Sequence, residues 1–190
     1  MKIVSGIKKF KSEVFPGMKG DFETLGSGQS PETLFITCSD SRIDPALVMQ
    51  TKPGEIFVIR NAGNIVPKPG AGELGVEATV QYAVDVLKVK QIVVCGHSHC
   101  GAVTGLMNLE SLSSLPIISD WVKRSEAVID RVEDKTDIPE AIRANVMLQL
   151  EHLRKHECVA NAEKEGRLTL HGWVYHFENG EVEFLQEQAV

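Results

Sequence analysis

The sequence predicts an α/β domain around a mainly parallel sheet, flanked by helices, and two patterns carry that prediction. Apolar runs at 34–37, 56–59 and 92–95 are rich in β-branched or aromatic residues. They are nearly continuous rather than alternating, as expected of strands covered on both faces. Between them lie stretches with apolar residues at helical spacing, and strands that alternate with helices pack as a parallel sheet.

In chain order, Ile3, Ile7, Phe10 and Val14 predict a helix over 3–15, ended by Pro16 and Gly17. Polar loop signals follow down to Gln29-Ser30-Pro31. Asp44-Pro45 is a helix opening: Asp caps, and Pro in the first position loses no needed donor. Residues 73–87 place Val76, Val80, Ala83, Val84 and Leu87 on one helical face. The spacing predicts further helices over 117–132, after Pro116, and over 138–156, with Pro139 in the first turn. Residues 168–174 and 182–185 flank Asn179-Gly180, which predicts a strand pair joined by a tight turn.

A chain of 190 residues suits one domain, 1–190, and shows no repeat, low-complexity tract or linker. Net charge is −6 with both signs interspersed, so nothing resembles a nucleic-acid footprint. Lys8, Lys9 and Lys11, followed by Glu13, read as one wet helix face. No apolar run reaches the roughly 18 residues of a membrane span. The N-terminal segment has lysines on both sides of its apolar residues and no small-residue cleavage site, so a cytoplasmic protein is expected. There, the four cysteines need not pair as disulfides.

Gly70-Ala71-Gly72-Glu73-Leu74-Gly75 matches the dinucleotide-binding pattern, but that motif needs a strand before it and an acidic residue about 20 positions later. Pro67 and Pro69 precede it, and 88–97 hold no Asp or Glu. A loop leading into a closely packed helix is the better reading of these glycines.

Two strands end in clusters that carry chemistry: Cys38-Ser39-Asp40-Ser41-Arg42 and Gly96-His97-Ser98-His99-Cys100-Gly101. In a parallel sheet both emerge at the same edge. His97 and Cys100 lie one turn apart and Cys38 can supply a third zinc ligand, which leaves one tetrahedral position open, as in catalytic rather than structural zinc sites. Cys100 would sit near a helix N-terminus, where the dipole favours a thiolate. His99 is a poor fourth ligand beside Cys100, and Cys95 and Cys158, lacking such partners, read as core. Asp40 shares the face of Cys38 and Arg42 in an extended stretch, so it can reach the metal or be turned away by a bidentate bridge to Arg42. Held by Arg42, it becomes a low-pKa acceptor suited to orienting a metal-bound hydroxide. A nucleophilic Cys38 fits less well: Arg42 is too near for a phosphatase loop, and Cys–His catalysis leaves Cys100 without a role.

At these residues the sequence resembles the β-class carbonic anhydrases. The match includes CSDSR (38–42), PGEIFVIRNAGN (53–64), EATVQYAVDVLKV (77–89), GHSHCGA (96–102) and LHGWVY (170–175). The resemblance implies a four-stranded parallel core plus an antiparallel edge strand, and reversible hydration of carbon dioxide to bicarbonate through zinc-bound hydroxide. It implies one zinc per subunit on Cys38, His97 and Cys100, with Asp40 and Arg42 as catalytic dyad. Gln29, Phe57, Ala62, Tyr82 and Gly101 are the implied substrate-pocket residues. The implied assembly is a dimer or higher, tetramer or octamer, with an N-terminal arm over 1–30 packing on a partner subunit. A carboxysome-type compartment is implied if the source is cyanobacterial. One subgroup binds inhibitory bicarbonate with a Trp and a Gly where Phe35 and Thr37 stand here, although Arg60 is present, so the plain plant-like type is expected. Ala62 replaces the Val of many relatives, which widens the pocket. His99 and Tyr82 are candidate proton relays. Two thiolates and a neutral imidazole leave zinc formally uncharged, which predicts activity favouring alkaline pH. An inactive zinc scaffold and a hydrolase of carbon disulfide or carbonyl sulfide are the alternatives.

Overall fold

A computed structural model describes residues 2–185. The chain divides into two compact units between Ser30 and Pro31. The first contains α1 (Lys2–Lys9), a π turn over Phe10–Val14 and α2 (Phe15–Leu25). The expected stop at Pro16 and Gly17 is thus corrected: the helix runs on to Leu25. The π turn closes with the Phe15 N–H bonded to the Phe10 carbonyl, so Pro16 falls in the first turn of α2, where the bond register has already shifted. The rings of Phe10, Phe15 and Phe22 cluster at this bend. Ile3, Ile7, Phe10 and Val14 form an exposed apolar stripe.

In the second unit five strands form one sheet: β1 (Thr33–Cys38), β2 (Ile56–Asn61), β3 (Gln91–His97), β4 (Thr169–Tyr175) and β5 (Val182–Leu185), in the order β2-β1-β3-β4-β5. The first four run parallel and β5 is antiparallel to β4. Every residue of β1 is buried, and alternate side chains serve different layers. Leu34, Ile36 and Cys38 join the large core, whereas Phe35 joins Ile43, Val93 and Cys95 on the other face. Two-sided burial therefore explains the unbroken apolar runs of β1 and β3. It does not hold for β2, an edge strand whose Val58 is exposed.

The flanking helices are α3 (Pro45–Met49), α4 (Leu74–Gln81), α5 (Gly101–Met107), α6 (Pro116–Val122), α7 (Ile138–Leu153) and α8 (Glu157–Lys164). Asp44 caps α3, accepting the Leu47 N–H at 3.2 Å. The expected 73–87 helix is α4 continued by a π turn over Tyr82–Val86, burying Val80, Ala83 and Val84. The 117–132 helix is corrected to α6 and a 3-10 stretch, Lys123–Arg131, broken at Ser125. The run 138–156 stops at Leu153, and α8 follows where no helix was expected. The tight turn at Asn179-Gly180 is a longer loop over 176–181, closed by the His176 N–H to Glu181 O bond of 2.9 Å, with Gly180 at φ 77. Gly70 and Gly72 serve a loop through positive φ, but Gly75 faces open space, so close packing is not its role.

Helix α7 lies against β3, β4 and α5. Gly96 and Gly172 permit the approach: a Cβ at Gly96 would lie 2.8 Å from Val146 Cγ2, and one at Gly172 would lie 3.0 Å from Val146 Cγ1.

Candidate metal centre and its acid–base dyad

The topology delivers the three sulfur and nitrogen donors to one place. Cys38 ends β1 and His97 ends the adjacent parallel β3, while Cys100 is the N-cap of α5. His99 takes a left-handed conformation, φ 54, which lets the chain double back between His97 and Cys100. Cys38, His97 and Cys100 are all buried, and their ligand atoms lie within 4.8 Å of one another. Among the described residues they are the sole metal-competent group of this kind; Asp40 and His99 are outside it.

Donor chemistry fits a soft divalent ion. His97 Nδ1 lies 2.8 Å from the Ser98 carbonyl, so it carries the proton, and Nε2 is left buried without any partner. A nitrogen lone pair in that state wants a metal. The two thiols are electrostatically linked: hydrogen bonding from Cys100 and the Gly63 N–H favours the Cys38 thiolate, and that thiolate together with burial pushes Cys100 up. A second negative charge enters only with a cation to balance it.

Asp40 turns away from the donors. Arg42 grips it with Nε to Oδ1 at 2.9 Å and Nη2 to Oδ2 at 2.8 Å, and the Arg42 N–H adds a bond to Oδ1 at 2.9 Å. Of the two arrangements open in the sequence, the structure shows the bidentate bridge. The Arg42 guanidinium holds this carboxyl well below the usual range, so Asp40 is an acceptor at any working pH. Arg42 also donates to the His99 carbonyl at 3.1 Å and lies 4.7 Å from the Phe177 ring centroid. Phe177 in turn stacks on His97 at 4.9 Å. Arg60 secures the loop, donating to the carbonyls of Cys38 at 3.0 Å and Asp40 at 2.8 Å.

Of the pocket residues, Phe57 and Tyr82 meet with ring centroids 6.0 Å apart. Ala62 and Gly101 are exposed, and Ala62 O accepts from Trp121 Nε1 at 2.8 Å. Gln29 belongs to the first unit and is exposed. Phe35 packs on Trp173 inside the core, and Thr37 Oγ1 donates to Cys95 O at 2.8 Å. Cys95 is fully buried, its thiol pushed up to about 12 by desolvation. His99 does not point free: its Nε2 lies 2.8 Å from Glu178 Oε1, and Ser98 Oγ donates to Oε2 at 2.8 Å. Sequence reading missed Phe177, Glu178 and the Gly63 N–H, which donates to Cys38 Sγ at 3.3 Å. The loop over 176–181 gave no cue beyond its turn residues, whereas Gly63, within RNAGN, could have been flagged as a positive-φ position beside the site.

Comparison with known proteins agrees with this arrangement. Residues 33–182 match the family model described as carbonic anhydrase. A carbonic anhydrase of Synechocystis sp. is 44% identical, over 95% of this chain and 69% of its own. One from Pseudomonas aeruginosa is also 44% identical, over 96% and 86%. Among solved structures, the β-carbonic anhydrase CcaA superposes with a TM-score of 0.91 at 40% identity, covering 98% of both chains. The Coccomyxa β-carbonic anhydrase in complex with acetazolamide gives 0.83 at 30% identity, over 98% of this chain and 86% of that one. With the fold, the paired motifs and these relatives in agreement, the chain belongs to the β-carbonic anhydrases, a family of enzymes.

Proposed function

We propose that the chain carries out reversible hydration of carbon dioxide with one zinc ion per subunit, held by Cys38, His97 and Cys100. One observation carries the reading: a buried, unpartnered His97 Nε2 sits with two cysteine sulfurs in a cluster less than 5 Å across. That donor set would suit zinc, with three protein ligands as in catalytic rather than closed structural sites. Zinc, when bound, supplies a Lewis acid that makes water nucleophilic near neutral pH.

The chain's own residues do the rest. Asp40 Oδ2 takes only one bond from Arg42, so a lone pair remains to accept a hydrogen bond from the attacking oxygen and fix its orientation. Arg42 keeps that carboxylate ionised and aimed, itself braced by the His99 carbonyl and the Phe177 face. Ser98 O fixes the His97 tautomer. The rings of Phe57 and Tyr82, with Ala62 and Gly101, supply the surface for the apolar substrate. We place the protein in the cytoplasm, where its four free cysteines stay reduced. We further propose a homo-oligomer in which the arm over 1–30 packs on a partner. Its exposed apolar stripe and the tetrameric β-carbonic anhydrases of Sordaria macrospora support this.

The test is stopped-flow hydration of carbon dioxide on purified, chelator-stripped and zinc-restored protein, with metal analysis of each. Activity that falls and returns with one zinc per chain is expected. Full activity without metal, or stoichiometric zinc with no hydration, overturns the reading.

A further inference from the structure

We propose that Trp121 and Asn145 are positioning residues for the sulfur of Cys38, acting through the two peptide units that flank Gly63. The inference rests on the reading of Cys38 as a metal ligand. Neither residue touches a donor atom, and no motif singles out either one.

The geometry forms one chain of bonds. The Gly63 N–H donates to Cys38 Sγ at 3.3 Å. That N–H shares its peptide unit with the Ala62 carbonyl, which accepts from Trp121 Nε1 at 2.8 Å. On the other side, the Gly63 carbonyl accepts from Asn145 Nδ2 at 3.0 Å. Asn145 Oδ1 accepts from Gln149 Nε2 at 2.8 Å, which sets which end of the Asn145 amide faces Gly63. Gly63 stands at φ +81 with its ideal Cβ position 3.0 Å from Ala102 Cβ, so only glycine brings this amide to the sulfur without strain.

Two consequences follow. A peptide whose carbonyl is already hydrogen-bonded is polarised and becomes a stronger donor at its N–H. An N–H bonded to a thiolate draws charge from the sulfur, which then donates less to the metal and leaves the ion more electrophilic. Trp121 thus sets the strength of the amide–sulfur bond and Asn145 its direction. A purely structural role, satisfying two carbonyls, would leave the sulfur's electronic state unchanged.

The experiment uses cobalt(II) and NMR-active cadmium in place of zinc. In wild-type protein loaded with cadmium, the Gly63 amide proton should show scalar coupling to the metal nucleus across the N–H···S bond. In the cobalt protein, Trp121→Phe keeps a ring and removes only the donor. Its sulfur-to-cobalt charge-transfer band should move to longer wavelength, with hydration about ten-fold slower. Asn145→Ser should move the band the same way. Arg124→Gln breaks the Arg124–Glu73 pair at the far end of the same loop and should leave the band in place. Absent coupling, an unmoved band in Trp121→Phe, or an equal shift in Arg124→Gln overturns the proposal. Wild-type protein that takes up neither metal overturns the reading of the site itself, and this proposal with it.

Discussion

Replacing Gly96 by Ala tests whether the close approach of α7 to β3 holds the metal centre together. The new methyl would lie 2.8 Å from Val146 Cγ2 and 3.2 Å from Ile142 Cγ2, both on a buried helix face that cannot retreat without disturbing the sheet. Overpacking of this kind costs about 1–3 kcal/mol. The substitution returns about 0.4–1 kcal/mol by restricting the unfolded chain, so a net loss of about 1–2 kcal/mol is expected. For a chain of this size that lowers Tm by roughly 2–8 °C. Because His97 follows Gly96 directly, a displaced β3 end also separates His97 from Cys38, and zinc should pass to a chelator faster. Val146→Ala deletes the methyl that clashes. Combined with Gly96→Ala it should recover part of the loss, giving a coupling of about 0.5–3 kcal/mol in a double-mutant cycle read by urea denaturation at equal zinc load. A Gly96→Ala protein that melts like wild type, or a double mutant equal to the sum of the singles, refutes the packing argument.

Two further outcomes are expected. Arg42→Ala should keep one zinc per chain while hydration falls about 100-fold or more, since Asp40 loses both aim and charge support, and Arg42→Lys should restore little because an ammonium cannot replace the fork; unchanged turnover with full zinc discards the dyad. His152 is buried with Nδ1 on the Val66 carbonyl at 2.8 Å, and burial pulls its pKa below the usual 6.5. The unfolded chain therefore binds the proton first as pH falls, so this group's contribution to stability is full above 6.5 and is lost as pH drops toward the folded value. His152→Gln should flatten the dependence of the urea midpoint on pH in that acid window, and an unaltered slope contradicts the assignment.

Sheet and donors were legible because their signals are local. Cys38 and His97 each follow an unbroken apolar run, and parallel pairing brings such ends together whatever the intervening chain does. The Asp40–Arg42 bridge was legible too, since a two-residue spacing permits it in few ways. What escaped depends on local shifts of backbone register or on contacts distant in sequence. Pro16 reads as a stop unless a π turn upstream is known, and Lys123–Arg131 reads as a helix until the break at Ser125 appears. Glu178 lies about 80 positions from Ser98 and His99, Phe177 lies 80 from His97 and 135 from Arg42, and Trp121 lies 59 from Ala62. No pattern in one sequence marks such a partner.

These distant partners also explain how the fold tolerates its own site. A buried nitrogen without a partner costs about 1–3 kcal/mol, and two adjacent thiols resist ionising together. Left to themselves, the loops carrying such groups would relax outward. Here the segments that carry Cys38 and Cys100 are held from three separate parts of the chain. Arg60 of β2 holds the carbonyls at 38 and 40, Trp121 of α6 holds the amide beside Cys38, and Glu178 holds Ser98 and His99 next to Cys100. None of these bonds needs a metal, so the cost of gathering the donors is spread over the sheet and its helices. On the proposed reading, an arriving ion would meet donors already gathered within 4.8 Å of one another, which lowers the cost of ordering them on binding.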